Sequence, residues 1–155
     1  MSVRGAALIL LAVSVAGTAS WPAGIEVRLC RTLEEAAPPG AGAALLVFFS
    51  TECPVCYDGL FESRRLVEKG GWPVRVVGVA SGPADSVRSF LEKFGWTQPV
   101  VHDRRRSLAR RFRVDFVPDW VLLVGGEPVC RSDPRAGPVR GMEGLAACLK
   151  RTFSR

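Results

Sequence analysis

The stretch Ala43-Ala44-Leu45-Leu46-Val47-Phe48-Phe49-Ser50-Thr51-Glu52-Cys53-Pro54-Val55-Cys56 decides how the rest of the chain is read. Its apolar part, Ala43 to Phe49 between Gly42 and Ser50, lacks the alternation of a half-solvated strand and predicts a central strand covered on both faces. A CxxC pair follows at once. Beyond Pro54 the chain can run helical to about Lys69, with Leu60, Phe61 and Val67 on or near one face, and Gly70-Gly71 stops it. Dithiol chemistry needs one accessible thiolate that attacks a disulfide and a second thiol near enough to resolve the mixed disulfide. The amides and dipole of a first helical turn stabilise negative charge on the leading sulfur, and Pro54 is expected at the first helical position, where an N–H would have had no partner. Cys53 is therefore the candidate nucleophile and Cys56 the candidate resolving thiol.

Working outward, Ile25 to Leu29 alternates apolar and charged residues as a half-buried strand does. Thr32 with Glu35 three residues later is a capping box for a short helix that Pro38-Pro39-Gly40 ends. Val74 to Ala80 reads as a second buried strand, and Val87, Phe90, Leu91 and Phe94 form the apolar stripe of a helix. Val100 and Val101 can add a short extended piece, and Leu108, Ala109 and Phe112 a short helix. Trp120 to Val124 and Val129 to Cys130 flank Gly125-Gly126, a pair suited to a tight hairpin, and Pro128 marks the second arm as an edge strand. A last helix is expected from about Met142, with Leu145, Ala146 and Leu149 inward. This order predicts an α/β fold: a central mixed sheet, mostly parallel, with a C-terminal antiparallel hairpin and helices on both faces.

Ahead of this domain, Arg4, the apolar run Ala6 to Gly17 and the small residues Gly17 to Ser20 have the layout of an export signal. The run is short of the roughly 20 apolar residues of a membrane span, so residues 1–20 read as a cleaved signal, with an uncleaved anchor as the alternative, and residues 21–155 as one domain. An exported, periplasmic or other extracytoplasmic location follows. The 155 residues are 48% hydrophobic and 23% charged, ordinary for a globular core. A formal charge of +6 falls only to +5 when Arg4 is removed with the signal. Arg104, Arg105, Arg106, Arg110, Arg111 and Arg113 concentrate that charge, most simply as a solvated face. No aromatic interleaving or binding motif accompanies them, so no nucleic-acid partner is expected.

Outside the cytosol a CxxC can cycle between dithiol and disulfide. The five cysteines leave Cys30, Cys130 and Cys148 outside the pair, with three possible pairings among them. Cys130 and Cys148, on the edge strand and final helix, are the preferred partners for a structural bridge, and buried thiols are the alternative. Half of a zinc site shares the CxxC spacing, yet neither His102, the sole histidine, nor Cys130 has a partner at metal spacing. No metal is expected, and no cofactor beyond the redox-active disulfide itself. Packing or loop roles suit His102 and the four tryptophans.

Three segments together resemble the thioredoxin superfamily and, within it, the exported thiol-disulfide oxidoreductases of the TlpA/ResA type. They are Phe48 to Cys56, Pro99-Val100-Val101-His102-Asp103 with Leu108 to Val114, and Phe116-Val117-Pro118-Asp119-Trp120-Val121-Leu122-Leu123. The resemblance covers about Ile25 to the end. It implies a thioredoxin fold, a cis Val117-Pro118 bond beside the cysteines, and a substrate-binding role for Val117 and Pro118 in which the Val117 backbone pairs with a substrate strand. It implies reduction of cysteine-containing exported proteins, as in cytochrome c maturation, by a monomer that draws electrons from a membrane thiol donor. Two departures stand out. Glu52 replaces the Trp that usually precedes the first cysteine and is a candidate modulator of the Cys53 pKa. Val47 occupies the place where many thioredoxins bury an acid, leaving water or Glu52 for proton transfer.

Two other readings compete. A peroxiredoxin needs Pro and Thr or Ser seven and three residues before its reactive cysteine, and here Leu46 stands at the farther place although Ser50 suits the nearer. A non-catalytic binding or assembly module would keep the Cys53–Cys56 bridge as structure.

Overall fold

The computed structural model describes residues 29–133, 135 and 137–154. Its elements are β1 (Leu29–Cys30), α1 (Leu33–Ala36), β2 (Ala43–Ser50), α2 (Cys56–Gly70), β3 (Val74–Ser81), α3 (Ala84–Lys93), β4 (Val100–His102), α4 (Ser107–Arg111), β5 (Asp119–Val124), β6 (Glu127–Arg131) and α5 (Gly137–Phe153). One six-stranded sheet has the order β1-β4-β3-β2-β5-β6. β1, β4, β3 and β2 run parallel, and β5 and β6 antiparallel to their neighbours. The expected fold class holds, while the span proposed as a signal lies outside the described residues, as do residues 25–28 of the strand expected at Ile25 to Leu29, of which Leu29 begins β1.

β2 shows why an unbroken apolar run belongs at the centre. Leu45, Val47 and Phe49 enter one core with Leu60 and Val67 of α2, Val87 and Leu91 of α3, and Leu145 and Leu149 of α5. The intervening Leu46 and Phe48 enter a second core with Ala36 of α1 and Ala109 and Phe112 at α4. Strand side chains alternate between faces, so β2 must be apolar at every position to serve both. A relay of rings, Trp96–Phe61, Phe61–Tyr57, Tyr57–Phe94 and Phe94–Phe90, with centroids 4.4–5.1 Å apart, ties α2 to α3.

One expectation is sharpened and two need correction. The short extended piece expected at Val100 and Val101 is β4, a full member of the sheet paired on both sides with β1 and β3. α5 begins at Gly137, five residues before Met142; its first turn holds Gly137 and Pro138, which read as loop although Pro suits a first turn. α2 starts at Cys56 with Val55 as its N-cap, so Pro54 lies outside the helix. The Cys56 N–H donates to the Cys53 carbonyl at 3.2 Å, making Cys53–Cys56 a tight turn, and the i→i−4 pattern begins with Gly59 on Val55.

The hairpin matches its chemistry. Gly125 and Gly126 both take positive φ, 61° and 89°, as a two-residue turn between twisted antiparallel strands requires. Pro128 sits on β6 at the sheet edge, and the register slips there so that Val129 bulges outward, 47% exposed. The arginines of the 104–113 cluster are exposed, and none pairs with a carboxylate among the described residues.

Candidate active site

β2 delivers the chain to the sheet's end at Ser50, and the turn into α2 places Cys53 and Cys56 there. They are joined by a disulfide with Cα atoms 5.4 Å apart. Their surroundings differ sharply: Cys56 is fully buried, within the core that α2 shares with the sheet, whereas Cys53 is half-buried. Only the Cys53 sulfur is therefore open to a polypeptide partner.

Facing it is the segment before β5. The Val117-Pro118 bond is cis, and the Val117 carbonyl lies 3.8 Å from the Cys53 sulfur. Once reduced, the Cys53 thiol can donate to that carbonyl. Pro118 packs on α2 at Gly59, where a side-chain carbon would come within 2.9 Å of the proline Cβ. A glycine there lets the loop approach the helix that carries the cysteines. The Val117 N–H and C=O form no backbone hydrogen bond among the described residues, so both are available to a partner strand.

Glu52 is exposed and its N–H donates to the Ser50 hydroxyl. Val47 is buried opposite Trp120 in the β2–β5 ladder. The sequence reading passed over a different acid, Asp119, which is only 4% exposed and directly follows Pro118. Burial raises its pKa to about 6; the nearby Asp115 adds to the rise, while the Trp120 N–H and the Arg131 charge pull the other way. Its Oδ1 accepts from the Trp120 N–H at 2.7 Å and from the Ser132 hydroxyl. The available signal was an acid in an otherwise apolar strand, which is expensive to bury without a role or a partner. Beside it, Val55, Gly59, Phe116, Pro118, Trp120 and Met142 wall a cavity of about 220 Å³. At its rim Phe116 is 72% and Val55 48% exposed.

Cys130 and Cys148 form a second disulfide between β6 and α5, with Cα atoms 6.5 Å apart. Cys30 is buried in β1 at the opposite edge. His102 ends β4, its Nε2 2.7 Å from the Gly82 carbonyl. No group of three metal-capable side chains forms among the described residues.

The sequence profile of the AhpC/TSA family matches residues 31–129, from α1 through the start of the hairpin's second arm. The chain belongs to the AhpC/TSA family. Solved structures place this AhpC/TSA domain in the thioredoxin fold, the superfamily its motifs resemble. A secreted Mycobacterium tuberculosis disulfide oxidoreductase homologous to E. coli DsbE superimposes with a TM-score of 0.59 at 18% identity, over 74% of this chain and 85% of its own. StoA from Bacillus subtilis gives 0.59 at 24% identity over 82% and 98%. A thiol:disulfide interchange protein of the thioredoxin family from Chlorobium tepidum gives 0.57 at 18% over 75% and 83%. No curated protein matches the sequence.

Proposed function

We propose that this protein is a thiol-disulfide oxidoreductase whose Cys53 attacks substrate disulfides and whose Cys56 resolves the intermediate. The observation that carries the reading is the asymmetry of the pair: one sulfur half-buried beside an unpaired backbone segment, its partner fully buried and linked to it. In the reducing direction the Cys53 thiolate attacks one sulfur of a substrate disulfide, forms a mixed disulfide and expels the other as thiolate. Cys56, deprotonated, then attacks the Cys53 sulfur and frees the second substrate thiolate. Two electrons leave the dithiol, and the Cys53–Cys56 bond remains. Burial keeps Cys56 from reaching substrate first, and the turn that brings it next to Cys53 makes the second step intramolecular.

The remaining parts of the reading are proposals of the same kind. The leader layout of residues 1–20 supports export to an extracytoplasmic compartment, cleaved or anchored. There the protein acts as a monomeric reductant of cysteine-containing exported proteins, fed by a membrane thiol donor. Hydroperoxide reduction is less well supported: Leu46, where a peroxiredoxin needs proline, is fully buried in β2.

Equilibrating residues 21–155 with glutathione or dithiothreitol buffers, with Cys53→Ser as control, tests this. A potential near about −270 mV supports a reductant and one near about −120 mV an oxidant. A bridge that does not cycle makes the protein a binding module instead.

A further inference from the structure

The cavity beside the cysteines combines features that an ordinary packing defect does not. Its walls are largely apolar, from Val55, Phe116, Pro118, Trp120 and Met142, and they include Val117, whose carbonyl lies 3.8 Å from the Cys53 sulfur. Yet two carboxylates, Asp119 and Asp133, also line it. Asp119 is the telling one. Both of its hydrogen bonds, from the Trp120 N–H and the Ser132 hydroxyl, fall on Oδ1, and Oδ2 receives none among the described residues. Trp96 Nε1 is the buried side-chain polar atom left without a partner among the described residues; Asp119 Oδ2 is not closed off in that way, so a side chain only 4% exposed keeps one acceptor accessible at the cavity it lines. Arg131, whose charge acts on Asp119, forms no hydrogen bond to it among the described residues: its guanidinium donates to the Arg113 carbonyl at 3.1 Å. The contrast with Asp103, the other buried aspartate, is direct, since there Oδ1 accepts from Ser107 and Oδ2 from the Ala109 N–H.

We infer that this cavity is a recognition subsite for a substrate side chain with an apolar stem and a cationic end, lysine or arginine, close in sequence to the cysteine under attack. The stem lies against Pro118, Trp120 and Met142, and the cationic head donates to Asp119 Oδ2, with Asp133 adding negative potential. The occupant follows from charge complementarity. An apolar wall accepts many side chains, but an acceptor-only oxygen at its side selects a donor, and two carboxylates select a positive one. The inference rests on the oxidoreductase reading and deepens it, because the subsite would orient the segment whose disulfide Cys53 attacks.

The test uses short peptides carrying one cysteine as its glutathione mixed disulfide, with alanine elsewhere. Lysine is placed at each of the two positions on either side of the cysteine, and a matched set carries norleucine, which keeps the stem and lacks the charge. Rate constants for exchange with the reduced protein are compared as the lysine-to-norleucine ratio, so that the ionisation of Cys53 cancels. At one position the ratio is expected to reach about tenfold at pH 7.5, the worth of one charge-assisted hydrogen bond. It should approach one in Asp119→Asn.

In the wild-type protein the ratio should also fall as pH drops through the Asp119 transition near 6, a readout that needs no variant to fold. Among the described residues, the charged groups that act on Asp119 or share its cavity are Arg131 on β6, Asp115 before β5 and Asp133 after β6. Arg131 stays positive throughout, and protonation of either further acid would act in the same direction. Ratios near one at every position, or a preference that survives both Asp119→Asn and acid, overturn the subsite while leaving the oxidoreductase reading intact. Failure of every peptide to exchange defeats both.

Discussion

Two disulfides sit on one domain and have opposite designs. Cys53–Cys56 spans three residues of a turn at the mouth of α2, with one sulfur half-buried and open to partners. Cys130–Cys148 spans 18 residues and ties the edge strand to the final helix, with Cys148 1% exposed. A bridge across three residues restrains little of the unfolded chain, so it contributes little to stability and is free to serve chemistry. A bridge across eighteen restrains much more, and its half-buried Cys130 lies on the edge strand β6 rather than beside the cis-proline loop that faces Cys53. Loop length and the segment that faces the half-buried sulfur, rather than burial, separate a reagent from a staple.

The largest expected effect is at the reagent. Cys53→Ser should reduce disulfide exchange to background while the thermal midpoint stays within a few degrees, as read by insulin reduction and calorimetry. Replacing Cys130 and Cys148 together by alanine should do the reverse. Unfolding free energy in urea should fall by about 3 kcal/mol, the value for closing a loop of this size, with the potential of the other pair unchanged. A shifted potential would mean that the two regions are coupled.

Asp119 lies between them, one residue after Pro118 and hydrogen-bonded to Ser132, two residues beyond Cys130. Its raised pKa gives a signed prediction. Between the ordinary value of 3.8 and about 6 the folded state holds a proton that the unfolded state has lost. Stability contributed by this group is therefore complete below that window, declines as pH rises through it and levels off above 6, by on the order of 2–3 kcal/mol in all. Urea titrations from pH 3.5 to 7 should show this slope, and Asp119→Asn should flatten it.

The smallest effect sharpens the contact behind the reagent. Gly59→Ala would normally strengthen a helix by about 1 kcal/mol. Here the added carbon meets the Pro118 ring at 2.9 Å. Overpacking of this kind costs about 1–3 kcal/mol, so a net loss near 1 kcal/mol is expected, with exchange slowed because the loop is pushed from α2. A stabilised variant with unchanged exchange would show that the loop yields freely.

The reactive pair and the fold around it were legible because their signals are local: an apolar strand, a CxxC and a proline loop each carry their meaning within a few residues. β4 was legible only as a short extended piece, since its place in the sheet comes from pairing with β1 and β3. Pro54 misled for a related reason: a turn capped by the Cys56-to-Cys53 hydrogen bond displaces the helix start by two residues. Asp119 escaped because its importance depends on what surrounds it. Nothing in Val117-Pro118-Asp119-Trp120 states that one carboxylate oxygen is paired and the other is not.

The outer strands carry a consequence for how the molecule meets others of its kind. The β6 rim carries Pro128, a bulge at Val129 and the charged Glu127 and Arg131. Sheets with long, flat rims recruit further strands from neighbouring chains and grow into insoluble aggregates, and the β6 rim offers no such template. Unpaired backbone is left instead at Val117, beside the reactive sulfur. Strand addition is thereby steered away from the β6 edge and toward a place where a visiting chain can react and depart.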